Sequence, residues 1–199
     1  MSKILELDIT LSASKPKIWR RVLVPADLTF HELHYVIQFS MGWTNSHLHQ
    51  FIVGRHDRCI GMSFDDEFDD DMEMEDGRKV NISELLNAPK DKIKYEYDFG
   101  DGWEHIIEVK KVLQPEAGKK YPIVTGGAMA CPPEDCGGIW GYANLVETMK
   151  KKDTDEYEEM LEWLGEEFDP ADFNMESINK EFFKNFKKEV KEWDDLAFG

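Results

Sequence analysis

The chain has 199 residues, 41% of them hydrophobic and 12% aromatic, with a formal net charge of −17. That length and apolar content support one substantial core, while the acidity disfavours non-specific nucleic-acid binding, which depends on basic groups neutralising phosphates. No apolar run approaches the roughly 20 residues needed to cross a bilayer, and three cysteines are too few for a disulfide framework.

From the N-terminus, Leu5, Leu7, Ile9 and Leu11 alternate with Glu6, Asp8 and Thr10, the pattern of a half-buried strand. Acidic residues stand there where a signal peptide needs its apolar stretch, so a cytoplasmic location is expected. Ser12 to Lys17 reads as a turn around Pro16, and Ile18 to Val24 as a second strand completing a hairpin. Thr29-Phe30-His31-Glu32 has capping-box spacing and predicts a helix with Phe30, Leu33, Ile37 and Met41 near one face and Gly42 past its end. His31 and His34, one turn apart on it, read as helix-surface residues. His47 to Val53 reads as a strand, and residues 65–76, with nine carboxylates in twelve positions, as an exposed excursion. Asn81-Ile82-Ser83-Glu84 repeats the capping-box spacing ahead of a short helix. Lys94 to Phe99 and Trp103 to Val112 flank Gly100-Asp101-Gly102, the strongest hairpin signal in the chain.

Cys131-Pro132-Pro133-Glu134-Asp135-Cys136-Gly137-Gly138 cannot continue a helix or a central strand and must be a shaped loop. Beyond it, Tyr142 to Lys151, Asp155 to Leu164 and Met175 to Lys188 read as helices, the last with Phe182, Phe183 and Phe186 packing on the body. The predicted class is α+β, with a largely antiparallel sheet in the first two thirds and a helical C-terminal third. Residues 1–186 are expected to form one domain and 187–199 an acidic tail.

The order and spacing of Lys17-Ile18-Trp19-Arg20-Arg21, Met41-Gly42-Trp43 with His47-Leu48-His49, Tyr97 to His105, Cys131 to Gly138 with Gly141-Tyr142, and Glu167-Phe168-Asp169-Pro170 resemble the plasmid pRiA4b ORF-3-like family over residues 3–186. The resemblance implies a compact α+β domain found in bacteria and archaea, in a plasmid or mobile-element setting, and it implies no established reaction. Members of that family often carry a further cysteine shortly before this pair, where Tyr121-Pro122-Ile123-Val124-Thr125 stands here.

Four residues separate Cys131 and Cys136, a spacing that zinc sites use, with His105 as a further ligand and Cys59, His47 or His49 as alternatives. The competing reading is a rigid loop with two buried thiols. His47 and His49, two apart, would share one face of a strand, either as ligands or bases or as hydrogen-bonded structural residues. Asp98, Asp101, Glu104 and His105 surround one hairpin, where carboxylates serve a metal or cap turn amides, and Glu134 and Asp135 join them if the loop folds back. Trp19, Trp43, Trp103 and Trp140 either line a groove or fill the sheet core. The expected site is therefore a patch of His47, His49, Asp98, Asp101, Trp103, His105, Glu134 and Asp135, with zinc on Cys131, Cys136 and His105 as the candidate cofactor. The function expected from it is protein or small-ligand binding. The alternative is a metal-dependent hydrolase of a phosphate ester, with Arg20, Arg21 or Arg55 facing the phosphate.

Overall fold

The apolar alternation at the N-terminus pairs as expected. Strand β1 (Ile4–Leu11) runs antiparallel to β2 (Trp19–Pro25) with Leu7 opposite Val22. A computed structural model describes residues 2–54, 58–62 and 74–198, and Arg55 and residues 65–73 of the acidic run fall outside them. The second hairpin joins β6 (Lys92–Tyr97) to β7 (Trp103–Leu113) with Tyr97 opposite Trp103. Its loop runs from Asp98 to Gly102, and the Gly102 amide donates to the Asp98 carbonyl at 2.6 Å. The long β7 strand also pairs with β1, which welds the two hairpins into one sheet.

The full strand order is β5-β4-β3-β6-β7-β1-β2-β8, adding β3 (His49–Val53), β4 (Arg58–Gly61), β5 (Met74–Asp76) and β8 (Ile123–Ala128). The pairs among the described strands are antiparallel, except that β5 runs parallel to β4. The last three residues of the acidic run thus belong to the sheet. Glu75 and Asp76 there bind the guanidinium groups of Arg58 and Arg78. Strand β8 is an edge, and the Asn179 side chain covers part of it: its Oδ1 accepts from the Val124 amide at 2.7 Å and its Nδ2 donates to the Val124 carbonyl at 2.9 Å.

Helix α1 (Phe30–Met41) begins at the capping box, where the Thr29 hydroxyl accepts from the Glu32 amide and the Glu32 carboxylate accepts from the Thr29 amide. It ends at Gly42, whose φ of 91° a glycine adopts without strain. The expectation that α1 has a solvent face carrying His31 and His34 is corrected: both are buried, His34 to 1% exposure. The sheet supplies one cover. Helix α4 (Met175–Phe198) supplies another, setting the Phe182 and Phe186 rings 5.4 and 6.0 Å from Phe39. Phe183, the third member of that stripe, stays exposed beside Lys120. Helix α4 runs without interruption through residue 187, where a tail was expected to begin.

Between the sheet and α4 come α2 (Gly138–Thr148) and α3 (Asp155–Leu164). Of the arginines offered to a substrate phosphate, Arg20 and Arg21 are both already engaged within the fold. Arg20 lies at 2% exposure with its guanidinium on the carbonyls of Ser40, Trp19 and Ala128, because it alternates with buried Val22 and Val24 on the inner face of β2. Arg21, on the outer face, pairs with Asp8.

Candidate functional site

Three segments far apart in sequence meet at one end of the sheet: the turn before β3, the β6–β7 loop and the 131–138 loop. The third is fastened to the other two. The Trp43 indole donates to the Pro132 carbonyl at 2.9 Å. Glu134 Oε1 accepts from the Thr44 amide at 2.7 Å and from the Tyr97 hydroxyl at 3.0 Å, and its Oε2 accepts from the Thr44 hydroxyl at 3.2 Å. The Gly137 amide donates to Asp101 Oδ2 at 3.2 Å. Glycine is required at 138 because an added Cβ would lie 2.5 Å from the Asp101 carbonyl oxygen. The loop does fold back over the hairpin.

This closure brings His47 Nε2 to 3.2 Å from Asp135 Oδ1, 3.7 Å from Asp98 Oδ2 and 3.9 Å from Glu134 Oε2. The nitrogen is shielded from solvent, yet none of these approaches has hydrogen-bond geometry. One ligand atom each from His47, Asp98 and Asp135 falls within 4.8 Å of the others, close enough to chelate a metal. Asp98 Oδ1 is already engaged, accepting from the Gly100 and Asp101 amides at 2.9 and 3.2 Å, which fixes the carboxylate and leaves Oδ2 for the cluster. Both aspartates sit in the left-handed region, at φ 57°. A left-handed L-residue costs roughly 1–2 kcal/mol, so the surrounding contacts hold both in place. The Asp135 side chain is 70% exposed, which leaves one side of the cluster open.

The remaining expected site residues are distributed differently. Asp101 stands beside the cluster and anchors the loop. Trp103 and His105 lie beneath it in the core, at 1% and 0% exposure, with Trp43 edge-on to His105. Burial lowers the His105 pKa to about 3 against the help of the Trp103 carbonyl. His47 and His49 part company because β3 begins only at His49. The His49 ring stacks on His34 at 3.6 Å, and burial lowers its pKa to about 3 as well. Cys131 and Cys136 are free thiols and neither enters the three-ligand group found among the described residues. Burial raises both thiol pKa values, that of Cys136 to about 12.

Sequence reasoning missed Thr44 and Tyr97, the residues that hold Glu134. Tyr97 carries a legible signal, since it alternates with Ile93 and Tyr95 on the buried face of β6 and its hydroxyl must find a partner. No sequence signal marks Thr44.

On the second long helix-lined face, α2, the Phe168–Ala171 segment and the β1–β2 turn enclose a cleft of about 960 Å³. Trp140 borders it at 85% exposure, so of the conspicuous tryptophans Trp43 and Trp103 are core and Trp140 is surface.

Two proteins are similar to this chain over most of its length. The uncharacterized protein y4hQ of Sinorhizobium fredii (strain NBRC 101917 / NGR234) is 36% identical over 181 residues, covering 90% of this chain and 91% of that protein. A crystal structure of a protein of unknown function, MM3350 from Methanosarcina mazei Go1, superposes with a TM-score of 0.79 at 34% identity, over 89% of this chain and 98% of that one. Residues 3–177 match the family described as plasmid pRiA4b ORF-3-like protein, and the chain belongs to that family.

Proposed function

We propose that the protein is a metal-dependent binding domain in which His47, Asp98 and Asp135 hold a divalent ion and a small molecule or a partner's side chain completes its coordination. One observation carries the reading: a solvent-shielded imidazole nitrogen without a hydrogen bond faces three carboxylates supplied by two separate loops. One nitrogen and two carboxylate oxygens suit zinc better than magnesium, which prefers all-oxygen octahedra. The exposed flank of Asp135 supports ligand access to the ion. No observation favours the phosphate-ester hydrolase to the same degree. Arg20 is consumed by backbone carbonyls and Arg21 by Asp8, and neither faces the cluster.

Metal analysis of protein purified without chelator or nickel tests the reading, followed by zinc titration of three variants. Near-stoichiometric zinc that is lost in His47→Ala and Asp135→Asn but kept in Cys131→Ser/Cys136→Ser is the expected result. Loss in the cysteine double variant alone would move the metal to the thiols, and absence of zinc binding from the folded parent would remove the reading.

A further inference from the structure

The cleft beside α2 is lined by none of His47, Asp98 and Asp135. Its walls are mainly apolar, with Ile139, Trp140, Val146, Phe168 and Pro170 among them. Its volume of about 960 Å³ lies in the range of small-molecule sites, which combine an apolar body with a few placed polar groups. The rim has no sign preference: Lys15, Lys150 and Lys152 face Glu147, Glu167 and Asp169, with Lys150 paired to Glu147 and Asp169 accepting from the Ala171 amide. Any selectivity for charge must come from deeper in.

Two features meet there. Tyr142 lines the cleft at 7% exposure, and its hydroxyl bonds to no described residue and is not shielded from solvent, so it is free to meet water or a ligand. Near it lies Arg20, a cation at 2% exposure with no ion-paired carboxylate among the described residues. Its bonds go to neutral carbonyls, its face lies 4.7 Å from the Phe173 ring, and the ionisable groups that act on it are the Cys131 thiol and Tyr142 itself. The Cys131 thiol is held neutral by burial, so it supplies no counter-charge. Buried charges are ordinarily paired. This one has no anionic partner among the described residues, and Tyr142, an ionisable group that acts on it, lines the cleft.

We propose that the cleft is a binding site for a small amphipathic carboxylic acid, its aliphatic or aromatic body against the apolar walls of α2 and the 168–171 segment and its carboxylate accepting a hydrogen bond from the Tyr142 hydroxyl in the field of Arg20. The site is separate from the His47 cluster and needs no metal.

Calorimetric titration with octanoate, octanol and octylamine tests this, because the three share a tail and differ in the head. Octanoate is expected to bind one to one and at least tenfold more tightly than octylamine or octanol. Tyr142→Phe, which removes one hydroxyl and no packing, is expected to weaken octanoate about tenfold. Ala143→Trp, at an exposed α2 position lining the cleft, is expected to abolish it. Thermal unfolding of each variant checks that the fold is kept. Equal binding of the amine or the alcohol, octanoate binding that Tyr142→Phe leaves unchanged, persistence of binding in Ala143→Trp, or no binding of any probe at millimolar concentration would each overturn the proposal.

Discussion

Lowering the pH from 7 to 5 should strip the protein of a large part of its stability through three histidines at its centre. His34, His49 and His105 are each at most 6% exposed, and burial holds every one below the ordinary value of 6.5, to about 3 for His49 and His105. The stacked partner His49 lowers His34 further. The sign follows from linkage. A depressed folded-state pKa means that the unfolded chain binds more protons below 6.5, so the stabilisation is complete above 6.5 and is lost as pH falls toward 3. His49 and His105, at about 3, each lose about 2 kcal/mol between pH 7 and 5, roughly 4 kcal/mol together, and His34 adds to the loss in the same direction. That is a large share of the 5–15 kcal/mol typical of a folded domain. Urea unfolding followed by tryptophan fluorescence at half-unit pH steps measures it, and the slope near pH 5 should reach at least two protons taken up per molecule unfolded. The carboxylates held low by arginines, Glu75 and Asp76, act only below their ordinary values of 4.5 and 3.8, outside the interval from pH 7 to 5. A stability that changes by less than about 1 kcal/mol across this interval would refute the reasoning.

Two further predictions concern the loop that closes the site. Glu134→Ala should cost about 2 kcal/mol, because it removes charge-assisted bonds and leaves the buried Tyr97 hydroxyl without its acceptor. A cycle with Tyr97→Phe in chemical denaturation should show a coupling of at least 0.5 kcal/mol, and additivity would show that the 3.0 Å contact carries no energy. Gly138→Ala and Gly118→Ala place a side chain at φ values of 66° and 79°, with similar backbone strain. Only the first also meets the Asp101 carbonyl, while 118 has nothing within 4 Å. Thermal unfolding should therefore show Gly118→Ala losing about 1 kcal/mol, and Gly138→Ala distinctly more, with zinc affinity reduced at least tenfold in the latter alone.

The hairpins, α1 and the packing of Phe182 and Phe186 were legible because each rests on a local period or a cap: two-residue alternation in β1 and β6, Thr29 with Glu32, and helical spacing in α4. Strands β4, β5 and β8 carried no such signal. They are short edge or near-edge pieces, and β8 contains Gly126 and Gly127, residues that weaken any strand pattern. Gly127 is there because the Phe173 ring packs where its Cβ would be, a contact across 46 positions that no local pattern encodes. The membership of Asp98, Glu134 and Asp135 in one patch followed from supposing that the loop folds back on the hairpin. The divergence of His47 from His49 did not, since it depends on where β3 starts and on His34 reaching it from the opposite layer.

Burial sorts the histidines by what they can do. His34 uses both ring nitrogens inside the core, on the Tyr95 hydroxyl and Asn45 Oδ1, each at 2.8 Å, and its face is covered by His49. His105 is enclosed by Trp43, Tyr95 and the Trp103 carbonyl at 0% exposure, and it joins no metal-ligand group among the described residues. An imidazole ligand needs a lone pair, a neighbouring charge of opposite sign to the metal, and space for the ion. His47 meets all three: its side chain is 27% exposed, three carboxylates surround Nε2, and Tyr97 packs edge-on against the ring at 5.8 Å to fix its direction. The carboxylates that surround it are in turn placed by hydrogen bonds to turn amides, hydroxyls and Tyr97, so the order of assembly runs from the rigid β6–β7 hairpin, through the loop it captures, to the site that the loop completes.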